Sequence, residues 1–287
     1  MSRIAYVNGQ YLPHANAAVH VEDRGYQFAD AVYEVCEIRG GMIVDPTLHF
    51  ERLERSLREL RIAVPMSRAA MLVVIRRVAR LNRVRDGSLY IQVSRGVARR
   101  DHVFPSPEVP PTVVMTAKSV DPRKGEALAE AGIRVITVPD GRWSRVDIKS
   151  VSLLPNCLAK QAAKEAGARE AWFVDAQGFV TEGGSTNAWI VTGDGVLVTR
   201  PAEFGILRGI TRTVVLKVAE RLGLKVEERA FTVEEAKRAR EAFITAATTL
   251  VMPVVGIDEA TVGNGAPGST ALALRRAFHE ATEMVAI

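Results

Sequence analysis

Val146-Asp147-Ile148-Lys149-Ser150-Val151-Ser152-Leu153-Leu154 places one lysine inside an apolar, alternating run. Read as a strand over Ile148–Leu154, the run puts Ile148 and Lys149 on opposite faces. A lysine amine in partly apolar surroundings loses its charge more readily and becomes a nucleophile. The plainer reading of a lone strand lysine is a solvated edge residue. What surrounds it in the sequence must decide.

Two segments further along supply context. Thr181-Glu182-Gly183-Gly184-Ser185-Thr186-Asn187 sets a carboxylate at a strand end, before a loop of small residues that lets backbone approach a ligand. Taken alone it reads equally well as a hairpin with a polar tip. Leu207-Arg208-Gly209-Ile210-Thr211-Arg212 runs from a glycine into a helix start, where unsatisfied N–H groups and the helix dipole attract anions. Taken alone it is an ordinary helix start. A lysine, a carboxylate and a phosphate-type helix terminus are together the parts that a pyridoxal 5′-phosphate site needs. The lysine forms an imine, the carboxylate keeps the pyridine nitrogen protonated, and the helix terminus holds the phosphate.

The flanking sequence predicts an α+β, mixed α/β chain of two domains. Asn8-Gly9 between β-formers signals a hairpin. Ala31–Arg39 alternates as a strand and turns at Gly40-Gly41 into Met42-Ile43-Val44. Asp45-Pro46 caps a helix with Leu53, Leu57 and Leu60 on one face, and a second helix spans Arg68–Leu81. Strands follow over Ser88–Arg95 and Thr112–Ala117. Residues 1–118 thus form a small α+β domain, 119–124 a linker, and 125–287 a larger domain with a mixed, barrel-like sheet. In the larger domain, Thr232 and Glu235 form a capping-box pattern, and a last helix is expected over Thr270–Met284.

The totals narrow the function classes. With 287 residues, 47% of them hydrophobic, the chain can bury a sizeable core and disorder is not expected. The net charge of +5 admits a polyanion-binding reading, but Arg52, Arg55, Arg58 and Arg61 interleave with Glu51, Glu54 and Glu59 as on a solvated helix face. No nucleic-acid partner is expected. Cys36 and Cys157 lack metal-ligand spacing, so neither a metal site nor a disulfide framework is expected. No apolar run is long enough to span a bilayer, and Met1–Gly9 has no signal-peptide core, so the expectation is a soluble cytoplasmic protein.

From Asn8-Gly9 to about Val255 the chain resembles the D-amino acid aminotransferases, within the fold-type IV pyridoxal-phosphate enzymes. The segments that carry the likeness include Glu22-Asp23-Arg24-Gly25-Tyr26-Gln27-Phe28, Val32-Tyr33-Glu34-Val35, Arg52-Leu53 and Gln92-Val93-Ser94-Arg95-Gly96. They continue through Asp147-Ile148-Lys149-Ser150, Leu158-Ala159-Lys160-Gln161, Thr181-Glu182-Gly183 and Leu207–Arg212. The resemblance implies Lys149 as Schiff-base lysine and proton shuttle, and Glu182 as partner of the pyridine nitrogen. It implies Arg52, Ile210 and Thr211 at the phosphate, and Tyr33, Arg100 and His102 at the substrate α-carboxylate. An arginine fork suits that carboxylate. It further implies a homodimer that moves an amino group from a D-amino acid such as D-alanine to a 2-oxo acid such as 2-oxoglutarate, giving pyruvate and D-glutamate. Branched-chain L-amino acid or amine transamination, and aminodeoxychorismate lysis, use the same cofactor and fold; the Arg100/His102 pair argues for the D-amino acid. The chain departs from the family in two places. Ala247 stands where relatives offer a hydroxyl to the phosphate, which leaves backbone N–H or Thr248 to substitute. The loop after Glu182 is Gly183-Gly184-Ser185-Thr186, where relatives are often richer in serine.

Overall fold

The computed structural model describes residues 3–203 and 205–287, which form two compact units. The first comprises Met1–Pro122, Ile148–Ser152 and Glu283–Ile287, and the second Arg123–Asp147 and Leu153–Thr282. The first break falls inside the 119–124 segment, where a strand ends at Ser119, Val120 and Asp121 belong to no regular element, and a helix begins at Pro122.

In the first unit, β1 (Ile4–Val7) and β2 (Gln10–Pro13) make the expected hairpin, and Asn8 and Gly9 both take positive φ, as a two-residue primed turn requires. The short α1 (Arg24–Phe28) is capped by Asp23, whose side chain accepts from Gly25 N. Then come β3 (Ala31–Arg39), β4 (Met42–Val44), α2 (Pro46–Glu59), α3 (Arg68–Leu81), β5 (Gly87–Ser94) and β6 (Thr112–Ser119). One antiparallel sheet of seven strands results, in the order Met284–Ala286, β4, β3, β5, β6, β1, β2. Leu53 and Leu57 of α2, with Ile75 and Val78 of α3, bury against Cys36, Ile38, Leu89 and Ile91 of the sheet. Each such side chain contributes about 1.5–3 kcal/mol relative to exposure. Ser67 caps α3 through Ala70 N at 3.2 Å. Asp45 precedes Pro46 but lies in the left-handed region and makes no side-chain cap; its carboxylate accepts from Glu283 N instead.

The structure departs from two further expectations. Ile148–Leu154 is not a strand: it makes a single bridge, Ser150 with Val32, before α5 begins at Leu154. The reason lies in β3. On its β3 side, short β4 reaches only Ile38 and Arg39, which leaves the rest of that β3 edge open. Residues 149–151 close it with Tyr33 N→Lys149 O at 3.0 Å and Val151 N→Ala31 O at 3.0 Å. Nor does a helix run over Thr270–Met284. Helix stops at Ala277, a 3-10 turn covers Phe278–Ala281, and Met284–Ala286 pairs with β4 as a strand.

In the second unit, α4 (Pro122–Ala131) leads into β7 (Ile133–Pro139), α5 (Leu154–Glu165), β8 (Glu170–Val174), β9 (Val180–Gly183), β10 (Asn187–Val191) and β11 (Leu197–Thr199). After these come α6 (Ile210–Arg221), β12 (Val226–Glu228), α7 (Val233–Lys237), β13 (Glu241–Ala246), β14 (Leu250–Ile257), β15 (Ala260–Thr261) and α8 (Ser269–Ala277). The sheet has nine strands, running β12-β11-β10-β13-β14-β7-β8-β9 with β15 on β14, and mixes parallel with antiparallel pairs. Gly183 N donates to Thr186 O at 2.7 Å, so β9, at one end of the order, lies beside β10, near the other. The sheet therefore curls toward closure, as the barrel-like expectation has it. Every residue of β9 and β10 is buried, the mark of strands covered on both faces. Thr232 caps α7 through Glu235 N at 3.1 Å, as its pattern predicts.

Candidate active site

In the first unit, strand alternation puts Val32, Glu34 and Cys36 on the face of β3 that packs toward α2. The helix answers with His49, Arg52 and Ser56, spaced to share one of its faces. Arg52 Nε and Nη2 each donate to the Glu34 carboxylate at 2.8 Å, and His49 Nδ1 lies 2.7 Å from Glu34 Oε2. Burial would push the Glu34 carboxyl up, but Arg52 and then His49 outweigh it and hold the group well below the usual carboxylate range. Burial likewise opposes the Arg52 cation, and Glu34 overcomes it, so the guanidinium pKa is raised. Ser56 Oγ accepts from Lys149 N at 3.3 Å. With the two bonds to β3, this fixes the lysine backbone. The Lys149 Nζ sits 4.1 Å from the centroid of the Tyr33 ring. Among the described residues it has no carboxylate partner. Tyr33, Arg52 and Lys149 are thus brought together, and Arg52 lies within electrostatic reach of Tyr33.

Arg100 and His102 lie on an exposed loop of the same unit. Both flank Phe28: the Arg100 guanidinium is 5.2 Å from its ring centroid and the His102 ring 5.5 Å. Sequence reading overlooked what holds this loop. Buried Arg24 donates to the carbonyls of Asp101 at 2.5 Å, His102 at 3.5 Å and Val103 at 3.4 Å, and pairs with Asp30 at 2.9 Å. Asp30 also receives both arms of Arg95.

In the second unit, Glu182 lies one residue before the end of β9, and among the described residues its carboxylate accepts from Arg142 Nη1, Asn187 Nδ2 at 3.1 Å, and Leu207 N at 3.1–3.2 Å to both oxygens. Asn187 Nδ2 also donates to Leu207 O at 2.9 Å, which ties the carboxylate to the loop before α6. Gly209 caps α6 with no side chain. Its absence of a Cβ is required, since that atom would lie 2.1 Å from Asn187 Oδ1. The first-turn residues Ile210 and Thr211 are both buried. Thr248, expected near a phosphate, is exposed in the turn between β13 and β14, whereas the adjacent Thr249 Oγ1 is buried with no hydrogen-bond partner among the described residues.

These donors suit pyridoxal phosphate. A helix N-terminus without a side-chain cap and an orphaned threonine hydroxyl suit a phosphate, an anchored carboxylate suits a protonated ring nitrogen, and an amine without a carboxylate partner suits a carbonyl carbon. Glu34, His49, Arg24 and Arg142 escaped the sequence reading because each acts through a partner distant in the chain. Only Arg24 and Glu34 carried a signal, lying within segments already quoted for the resemblance.

The amino-transferase class IV family model matches residues 31–257. A D-alanine aminotransferase of Staphylococcus haemolyticus is 39% identical over 97% of this chain and 97% of its own length. One from Bacillus licheniformis is 41% identical over 91% of this chain and 90% of its own. Among solved structures, the branched-chain aminotransferase of the thermophilic archaeon Thermoproteus uzoniensis, with norvaline, superposes with a TM-score of 0.84 at 26% identity, covering 98% of this chain and 96% of that one. The Escherichia coli branched-chain enzyme, at 24% identity and a TM-score of 0.88 over 99% of this chain and 96% of its own, shares the fold.

Proposed function

The chain belongs to the amino-transferase class IV family, and from that premise we propose that it transfers the amino group of a D-amino acid, D-alanine among them, to a 2-oxo acid such as 2-oxoglutarate, with pyridoxal phosphate as cofactor. The observation that carries this reading is the Lys149 amine, held over Tyr33 without a carboxylate partner among the described residues, with Arg52 within electrostatic reach of the same Tyr33. The choice of a D-amino acid is supported by the relatives bearing that activity in their names, which align over nearly the whole chain.

When bound, pyridoxal phosphate supplies an electron sink for the pair left as the amino acid's Cα–H bond breaks. The chain's own groups do the rest. Lys149 Nζ would carry the proton between the substrate Cα and the cofactor's C4′ carbon. Arg52, the N–H groups of Ile210 and Thr211, and a hydroxyl from Thr248 or Thr249 would hold the phosphate. Glu182 would hold the ring nitrogen in its protonated form. Arg100 and His102, with Tyr33, bind the substrate carboxylate and so orient the Cα–H bond. Assembly as a homodimer belongs to the same proposal and is read by light scattering. Among the described residues, no helix is long and apolar enough to cross a membrane.

A panel of D- and L-amino acids against 2-oxoglutarate tests the reading. D-alanine is expected to be consumed with formation of pyruvate and D-glutamate. Turnover of L-leucine without turnover of D-alanine would overturn the D-amino acid assignment and leave the branched-chain alternative.

A further inference from the structure

We propose that Arg142 is a positioning residue for Glu182: clamped on Asp140 and laid against Phe173, it keeps the Glu182 carboxylate ionised and aligned, and so keeps the proton on the cofactor's ring nitrogen. The inference rests on the role of Glu182 proposed above.

Arg142 is held from several sides. Its Nε and Nη2 reach the two oxygens of Asp140 at 2.9 and 2.7 Å, Nη2 also donates to Thr181 Oγ1 at 3.2 Å, and the guanidinium lies 4.4 Å from the Phe173 ring centroid. Asp140 is itself anchored: its N–H donates to Val174 O at 2.8 Å and its carboxylate accepts from Thr181 Oγ1 at 2.8 Å. Nη1 remains directed at Glu182 Oε1, one residue along β9 from Thr181. A planar fork can bind Asp140 through one edge and Glu182 through another arm, which a lysine cannot do.

The other two donors described on Glu182 are neutral. Asn187 and Leu207 N orient the carboxylate with dipoles, whereas Arg142 adds a positive charge at a side chain only 4% exposed. A buried cation there favours carboxylate over carboxylic acid. The shared proton between a pyridine nitrogen and Glu182 then stays on the nitrogen. Burial opposes the Arg142 charge, but the Asp140 hydrogen bond and the Glu182 charge outweigh it, so the guanidinium pKa is raised.

The test is the nitrogen-15 resonance of the holoenzyme reconstituted with cofactor labelled at the ring nitrogen, alongside turnover. Glu182→Gln is expected to move the resonance to the unprotonated-pyridine position. Arg142→Met should move it part of the way in the same direction and lower turnover by roughly ten- to a hundredfold, as for loss of one hydrogen bond to a charged group. Arg142→Gln, which keeps amide donors without the charge, should do the same and serves if the Met variant does not fold; Arg142→Lys should recover part of both effects. A wild-type resonance in folded Arg142→Gln, with Glu182→Gln shifted, overturns the proposal. An unshifted Glu182→Gln resonance instead overturns the role given to Glu182.

Discussion

Arg52 grips Glu34 side-on, with Nε and Nη2 on the two carboxylate oxygens at 2.8 Å, between a helix and a strand that the short β4 separates in the chain. Removing one member of a buried pair strands the other charge, at about 3–5 kcal/mol. Glu34→Gln is therefore expected to destabilise the protein by about that amount in urea titrations, and also to weaken cofactor binding by loosening Arg52. Pyridoxal lacking the phosphate should bind the variant and the parent alike.

The same pair sets an acid dependence. The folded-state pKa of Glu34 lies below its unfolded value. Its contribution is thus complete above the ordinary carboxylate range and is lost as pH falls through the folded pKa. The parent should lose stability on acidification more steeply than Glu34→Gln, so their urea midpoints stay parallel from neutrality to about pH 5 and converge progressively below it. Midpoints still parallel at about pH 3 would refute the assignment.

Lys149 should be separable from the fold. Its backbone is pinned by Tyr33 N and Ser56 Oγ, and neither bond uses its amine. Lys149→Ala is expected to cost less than about 1 kcal/mol of stability, yet to abolish both transamination and the visible absorbance of the reconstituted enzyme.

Arg24 should act on substrate rather than cofactor. It gathers the carbonyls of Asp101, His102 and Val103 beneath the loop that carries Arg100 and His102. Arg24→Met is predicted to raise KM for the D-amino acid by roughly ten- to a hundredfold, the range for a hydrogen bond to a charged group, with cofactor affinity unchanged. A change confined to kcat would count against it.

Gly209 tests the second unit. An alanine there drives a Cβ into Asn187 Oδ1, and Asn187 holds both Glu182 and Leu207. Gly209→Ala should weaken pyridoxal phosphate binding, measured by spectrophotometric titration, by about tenfold, the loss of one hydrogen bond to a charged group.

What the sequence determined by itself was whatever depends on near neighbours in the chain. The Asn8-Gly9 turn, the leucine face of α2, the span of α3, the Thr232 cap and the glycine start of α6 all rest on local backbone preference or on one helical face. Lys149 and Glu182 were legible as candidates because their segments have a recognisable order and composition. The tertiary structure alone decided where Ile148–Ser152 and Glu283–Ile287 go, since an open strand edge elsewhere in the chain captures each of them. It also decided that Glu34 meets Arg52 and His49, that Arg24 gathers a loop nearly eighty residues away, and that Arg142 meets Glu182. Buried charge takes whichever partner the folded chain brings within hydrogen-bond reach, and spacing along the sequence does not encode that distance.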